Sequence, residues 1–273
     1  MMTKKVVSIQ DLSCYGQCSS TVALPIMSAL GVETIVLPTS LLSNHTMFKK
    51  FTFFDLEKEI KNIIACWEEN DLKFDAVYTG YLGKASHVDL VLEVLKKCTK
   101  DKYFIMDPAF GDSGKLYPGF DVSYVNEMKR LVKSADCILP NITEACYLLG
   151  EDVKLDYDEA YLKDIMKRLY EMGAKNVIIT GASFNGQYGV SLYDGKNYSY
   201  YFHQHVKCQF HGTGDIFSSC FVAKRLYGNS IEDSVKFAAD FVVKCIKATE
   251  GAEDHKYGVK FEEVLYNMIK DEK

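Results

Sequence analysis

The sequence predicts an α/β fold, a mainly parallel central sheet with helices on both faces in three layers, built by residues 1–273 as a single domain. Two observations predict it. Short β-branched runs alternate with longer segments whose apolar residues recur at spacings of three and four, and no Pro/Gly/Ser-rich linker or internal repeat breaks that order. A hydrophobic content of 48% in 273 residues is enough for one large core.

The elements follow in chain order. "KKVVSIQ" (4–10) reads as the first strand, and "STVALPIMSAL" (20–30) as the helix that returns the chain. "VETIVLP" (32–38) is the second strand. Residues Thr39 to Phe54 sustain no period and are expected to form a mobile loop over a site. "FFDLEKEIKNIIACWEE" (53–69) is helical, "FDAVYT" (74–79) extended, "SHVDLVLEVLKKC" (86–98) helical and "KYFIMD" (102–107) extended. "VSYVNEMKRLVKS" (122–134) leads to the strand "ADCIL" (135–139), and "DEAYLKDIMKRLYEMG" (158–173) to the strand "NVIIT" (176–180). Then "QYGVSLYDGKNYSYYFHQHV" (187–206) forms two runs around "DGKN", a hairpin signal. Helices over 215–227 and 231–249 close the core.

Charge and cysteine content narrow the function. With a net charge of -5 and basic residues scattered along the chain, nucleic acid is not the expected partner. No apolar run is long enough for a secretory signal or a membrane span, so a cytoplasmic protein is expected. The nine cysteines lie mostly in apolar contexts such as "ADCILP" and read as reduced, buried thiols. Cys14 and Cys18 have no second Cys/His pair at zinc spacing, and "HQH" (203–205) reads as part of a surface strand.

An α/β sheet binds ligands beyond the carboxyl ends of its strands. That rule selects Asp11, Thr79 to Tyr81, Asp107, Asn141, and Thr180 with Gly181, each placed at such an end. "GTGD" (212–215) precedes a helix, whose first amides are unpaired and carry the positive end of the dipole, so an anion can sit there. Taken alone it reads first as a turn with Thr213 or Asp215 as cap. In "PNITE", Asn141 and Glu144 have the spacing of a capping box. Together with Asp107 and Asp112 of "DPAFGD", they also form the oxygen-rich set that magnesium-assisted phosphoryl transfer requires. A Walker loop, a Rossmann fingerprint, protein-kinase signatures and a nucleophile elbow are all missing from the sequence.

"GTGD", "PNITE" and "DPAFGD" in combination resemble the ribokinase superfamily. "VVSIQDLSCYGQCSSTVALPIMSALGVETIVLPTSLLSNHT" and "YTGYLG" resemble its pyridoxal kinase branch, and the match runs in order from Val6 to about Lys247. The resemblance implies a ribokinase-like fold and ATP-dependent phosphorylation of the 5'-hydroxymethyl group of pyridoxal, pyridoxamine or pyridoxine. It implies Asp215 as catalytic base and Gly212, Thr213 and Gly214 as an anion hole. Asp107, Asp112, Asn141, Glu144, Thr180 and Gly181 would serve ATP, with Mg²⁺ held by Asp112 and Glu144 through water. Asp11, Asn44, His45, Thr46 and Tyr81 would contact the vitamin. A monovalent cation near the phosphates and a homodimer are common features of that family.

Two departures from the pattern stand out. Many family members have serine at the position of Asp11, and a carboxylate there suits a protonated pyridine nitrogen or an amine, as in pyridoxamine. Leu139 stands where threonine is frequent. The alternatives are hydroxymethylpyrimidine kinase, whose members often carry cysteine at the last position of "GTGD", a non-catalytic pyridoxal phosphate carrier, and a sugar or nucleoside kinase. The last usually needs a larger β lid than this chain can build.

Overall fold

A computed structural model describes residues 3–206, 210–253, 255 and 257–271. Its nine-stranded sheet has the order β11-β10-β9-β8-β5-β4-β1-β2-β3. The six central strands, β9 (Val177–Phe184), β8 (Cys137–Ile138), β5 (Phe104–Met106), β4 (Ala76–Thr79), β1 (Lys5–Ser13) and β2 (Glu33–Leu42), pair in parallel. Antiparallel strands close both edges: β10 (Gln187–Tyr193) with β11 (Tyr198–Phe202), and β3 (Phe53–Asp55). Asp194 accepts from the amides of Lys196 and Asn197 and so closes the expected hairpin.

The two faces carry separate apolar cores, because successive strand residues point to opposite sides. Val7, Ile9 and Val77 face α2 (Glu57–Glu69), α3 (His87–Lys97), α4 (Val122–Val132), α5 (Ile142–Leu149) and α6 (Glu159–Glu171). Val6, Ala76 and Tyr78 face α1 (Ser20–Ala29), α7 (Thr213–Leu226), α8 (Ile231–Thr249) and α9 (Phe261–Asp271). This is the expected three-layer arrangement.

Several details differ from the sequence reading. β1 continues past Gln10 to Ser13, so Asp11 lies inside the strand, at an irregularity where Thr39 and Ser40 of β2 stand against it alone. The segment expected to be a loop over 39–54 is partly sheet: β2 runs to Leu42, and Phe53 pairs with it. Phe53 and Phe54 fit the apolar period of the following helix but belong to β3. β9 runs on past Thr180 because β10 pairs with it as far as Phe184. His203 to His205 follow β11 and are not within it, although the His203 amide still donates to Tyr188. A two-residue hairpin, β6 (Gly111–Asp112) with β7 (Lys115–Leu116), is too short to have left a sequence signal. Of the cysteines, Cys98, Cys137, Cys146, Cys220 and Cys245 are buried, while Cys14 and Cys66 are exposed. Among the described residues no helix is long and apolar enough to cross a membrane.

Candidate active site

The chain enters the sheet at β1, passes to β2 on one side, and resumes at β4 on the other. The crevice at such a reversal is where an α/β sheet opens for a ligand. Asp11 and Tyr81 meet there: the Asp11 amide donates to the Tyr81 carbonyl at 3.1 Å. Asp11 is buried, and burial raises its carboxyl above the ordinary range against hydrogen bonds from Ser19 and Ser13. Burial, and then Asp11, pushes the Tyr81 hydroxyl up to about 12.

Asp215 stands in the first turn of α7. Neither Thr213 nor Asp215 caps that helix, as the sequence alone allowed. The cap is Gly212, at φ 81°, and among the described residues no side chain caps the first amides. A Cβ on Gly212 would lie 2.1 Å from the Gln17 carbonyl oxygen, so only glycine lets the two loops touch. Asp215 turns its carboxylate to Ser19 instead, whose N–H donates to Oδ2 at 2.9 Å. Burial first, then Asp107 and Asp11, push Asp215 up to about 7.

Asp107 follows β5 and is 7% exposed. Ser218, one turn along α7 from Asp215, donates to Oδ2 of Asp107 at 2.6 Å. Burial nevertheless raises this carboxyl to about 6. Burial first, and then Asp107 and Asp215 beside it, hold the Tyr78 hydroxyl well above its usual range.

The capping box expected at Asn141 and Glu144 is present in full. The Asn141 side chain accepts from the Glu144 amide at 3.0 Å, and Oε2 of Glu144 accepts from the Asn141 amide at 3.0 Å. Oε1 of Glu144 takes further N–H bonds from Phe110 at 2.9 Å and Gly111 at 3.4 Å. Burial, then Asp107, holds Glu144 well above the carboxylate range despite these donors. Asn141 also bridges to Thr180 across the sheet and donates to the Gly111 carbonyl. That tie brings the β6–β7 hairpin and its exposed Asp112 to the same place. Tyr117 confirms the convergence, since after burial its hydroxyl is raised by Glu144, Asp112, Asp215 and Asp107 together.

The oxygen-rich donor set suits a hard cation such as Mg²⁺. Both oxygens of Glu144 are already occupied by backbone donors, which fits contact through water better than direct ligation. Among the described residues, the one grouping of three such side chains close enough to share a metal ion is Asp55, Glu57 and His87, on β3, α2 and α3, and not the set around Glu144. No expectation had pointed there. Lys84 and Lys61 pair with its two carboxylates, as an ordinary surface network would have it.

The "SNHT" loop is divided. His45 is buried, donates its N–H to the Tyr15 carbonyl, and packs against His211 with ring centroids 5.5 Å apart. Burial and then His211 lower its imidazole below the usual range. Asn44 is turned away, with its amide on the Lys50 carbonyl at 3.0 Å. Thr46 is half-buried. Gly181 lies in β9 at φ 64°, facing the Tyr188 hydroxyl. Leu139 belongs to the apolar core with Tyr78 and Ile178. Ser19, Cys18, Tyr78, Tyr117 and Ser218 join the site with no motif to mark them.

A family model for phosphomethylpyrimidine kinase matches residues 24–260. The chain belongs to the phosphomethylpyrimidine kinase family. A candidate phosphomethylpyrimidine kinase from Bacteroides thetaiotaomicron, crystallised with pyridoxal, superposes with a TM-score of 0.93 at 36% identity, covering 98% of this chain and 96% of that one. A pyridoxal kinase from Dictyostelium discoideum is 28% identical over 99% of this chain and 87% of its own length. A hydroxymethylpyrimidine/phosphomethylpyrimidine kinase from Haemophilus influenzae is 32% identical over 77% of this chain and 80% of its own. The family is a ribokinase-superfamily group of small-molecule kinases, and its fold implies ATP-dependent phosphoryl transfer, with Mg²⁺, to a small organic substrate.

Proposed function

We propose that this family member phosphorylates the hydroxymethyl group of a six-membered nitrogen heterocycle, with Asp215 as the base. One observation carries the reading: the Asp215 carboxylate is fixed by Ser19 beside the unpaired first amides of α7, and faces Asp11 at the sheet's reversal point. Asp215 accepts the alcohol's proton while the oxygen attacks the γ-phosphorus. The amides of Gly212, Thr213 and Gly214 receive the charge on the transferring group. Asp107, Asn141, Thr180 and Gly181 line the ATP side, and Asp112 and Glu144 would hold Mg²⁺. The metal's contribution is to neutralise charge on the phosphates. Asp11, His45, Thr46 and Tyr81 enclose the ring, and Asn44 supports the loop above it. Two chains form a homodimer.

As to the ring, the comparisons lend more support to hydroxymethylpyrimidine than to pyridoxal. The matching family is named for the pyrimidine, and the Haemophilus relative shares 32% of its residues with this chain. This reverses the order given by the sequence, where pyridoxal came first. A B6 vitamer is the second reading, favoured by the aspartate that ends "GTGD" and by the pyridoxal in the Bacteroides crystal.

The decisive experiment incubates the protein with Mg·ATP and each of hydroxymethylpyrimidine, pyridoxal, pyridoxamine and pyridoxine, with Asp215→Ala as control. ADP release and phosphorylated product identify the ring. Turnover of none of the four would sink the heterocycle reading, and equal turnover by Asp215→Ala would remove the base.

A further inference from the structure

Ser19 stands at the head of α1, where a serine ordinarily turns its hydroxyl onto the first amides of the helix. Here it makes no such cap. Its hydroxyl bonds Asp11 instead, and its N–H donates to Oδ2 of Asp215 at 2.9 Å, while its carbonyl serves the helix by accepting from the amides of Val22 and Ala23. To face both carboxylates, the buried Ser19 is held at φ 49° and ψ -128°, a conformation that suits glycine and strains a residue with a side chain. Such a conformation persists only where its surroundings over-determine it. Thr21, the second residue of α1, supplies the restraint. Its hydroxyl turns back onto the loop before the helix and donates between the carbonyls of Gly16 at 2.9 Å and Cys18 at 2.7 Å. It also accepts from the Cys18 N–H at 3.4 Å. On the other side of the turn, the Gln17 N–H is tied to the Tyr257 carbonyl at 3.3 Å.

We infer that Thr21 is a positioning residue for phosphoryl transfer: its hydroxyl locks the strained turn at Ser19, and through Ser19 it sets the base Asp215 and the ring-binding Asp11 relative to each other. The inference rests on the heterocycle-kinase reading above. A carboxylate held at one oxygen keeps its plane, so Oδ1 of Asp215 has one direction from which to take the alcohol's proton. That alcohol is carried on the ring that Asp11 receives. The spacing between ring and base is therefore governed by a single residue, Ser19, bonded to both. Without the Thr21 hydroxyl, Ser19 relaxes to an ordinary φ, its N–H leaves Asp215 and its hydroxyl leaves Asp11. A misplacement of about 1 Å in such a pair costs about a hundredfold in rate. Glycine at position 19 needs no lock, because it occupies φ 49° without strain.

The test is steady-state kinetics with Mg·ATP and whichever of the four alcohols the parent turns over. Thr21→Val, which removes the hydroxyl and keeps the shape, should lower kcat about tenfold to a hundredfold and raise KM for the alcohol. Adding Ser19→Gly to Thr21→Val should return kcat to within about threefold of the parent. KM should stay raised in that double variant, because the hydroxyl that bonds Asp11 is gone. A kcat that does not recover overturns the inference, as does a parent kcat in Thr21→Val alone; a KM that recovers together with kcat removes Asp11 from it. Thr21→Ser keeps the hydroxyl, so a loss of kcat as large as that of Thr21→Val also overturns the inference. Thr21→Ala takes the place of Thr21→Val if the latter does not fold. Should the parent phosphorylate none of the four alcohols, the heterocycle reading fails, and the positioning is read without turnover. In ¹H–¹⁵N spectra the Ser19 amide proton should shift on Asp215→Ala in the parent, and much less when Thr21→Val is already present. Equal shifts in the two backgrounds overturn the inference.

Discussion

Ser19 donates its N–H to the carboxylate of Asp215 at 2.9 Å across 196 positions of sequence. That bond favours the ionised form of Asp215, while burial, Asp107 and Asp11 oppose it and win, leaving the group near 7. A base works only when ionised. Transfer should therefore fall about tenfold per unit as pH drops below about 7, read from kcat/KM between pH 5 and 9. Asp215→Asn should lose about a hundredfold to ten-thousandfold in kcat and abolish that limb. A retained limb would assign it to another group.

Gly212→Ala should damage both fold and chemistry. The added methyl meets the Gln17 carbonyl at 2.1 Å, and φ 81° strains any side chain. A cost of about 2 kcal/mol or more is expected in urea unfolding. The drop in kcat should exceed the change in KM for the alcohol if, as proposed, the displaced amides face the transferring phosphoryl group.

Glu144→Ala leaves the amides of Phe110, Gly111 and Asn141 without their acceptor. Each buried unmet donor costs about 1–3 kcal/mol, so a substantial loss of Tm is expected. Glu144→Gln keeps one acceptor oxygen but turns its NH2 against the amide or amides that the other oxygen received, and should unfold at a Tm between those of the parent and Glu144→Ala. KM for Mg·ATP should rise in both variants.

Asp107 has a distinct pH signature. Its folded carboxyl, at about 6, binds a proton more tightly than in the unfolded chain, so its stabilising contribution grows as pH falls from about 6 into the ordinary carboxylate range. Above that window the buried charge opposes folding. Asp107→Asn can still accept from Ser218, and should raise stability in urea at pH 8 more than at pH 5, while activity falls. An equal effect at both pH values would mean the carboxyl is not raised by burial.

Much of this was legible in the sequence because its signals are local. Strand runs such as "DAVYT" and helix periods such as "DLVLEVL" declare themselves within ten residues, and the rule of strand ends then located Asp107, Asn141 and Tyr81. Asn141 and Glu144 carried their cap in their spacing. Ser19, Ser218 and Tyr117 were invisible because their roles depend on which distant segment each one meets. β3 was absorbed into the helix after it because Phe53 and Phe54 extend that helix's apolar period. α9 is a different case: Phe261, Val264, Leu265 and Met268 show a helical spacing that was there to be read. The preferred ring was not legible, since several carboxylates and aromatic groups suit a pyridine and a pyrimidine alike.

The contact at Gln17 has a consequence for how remote sequence changes reach the chemistry. Its carbonyl touches Gly212, its side chain packs on Gly258, and its amide donates to Glu262 of α9. α9 thus leans on the loop that carries Ser19. Substitutions on the inner side of α9, or a fusion partner attached behind it, are in a position to act as a set-screw on the base.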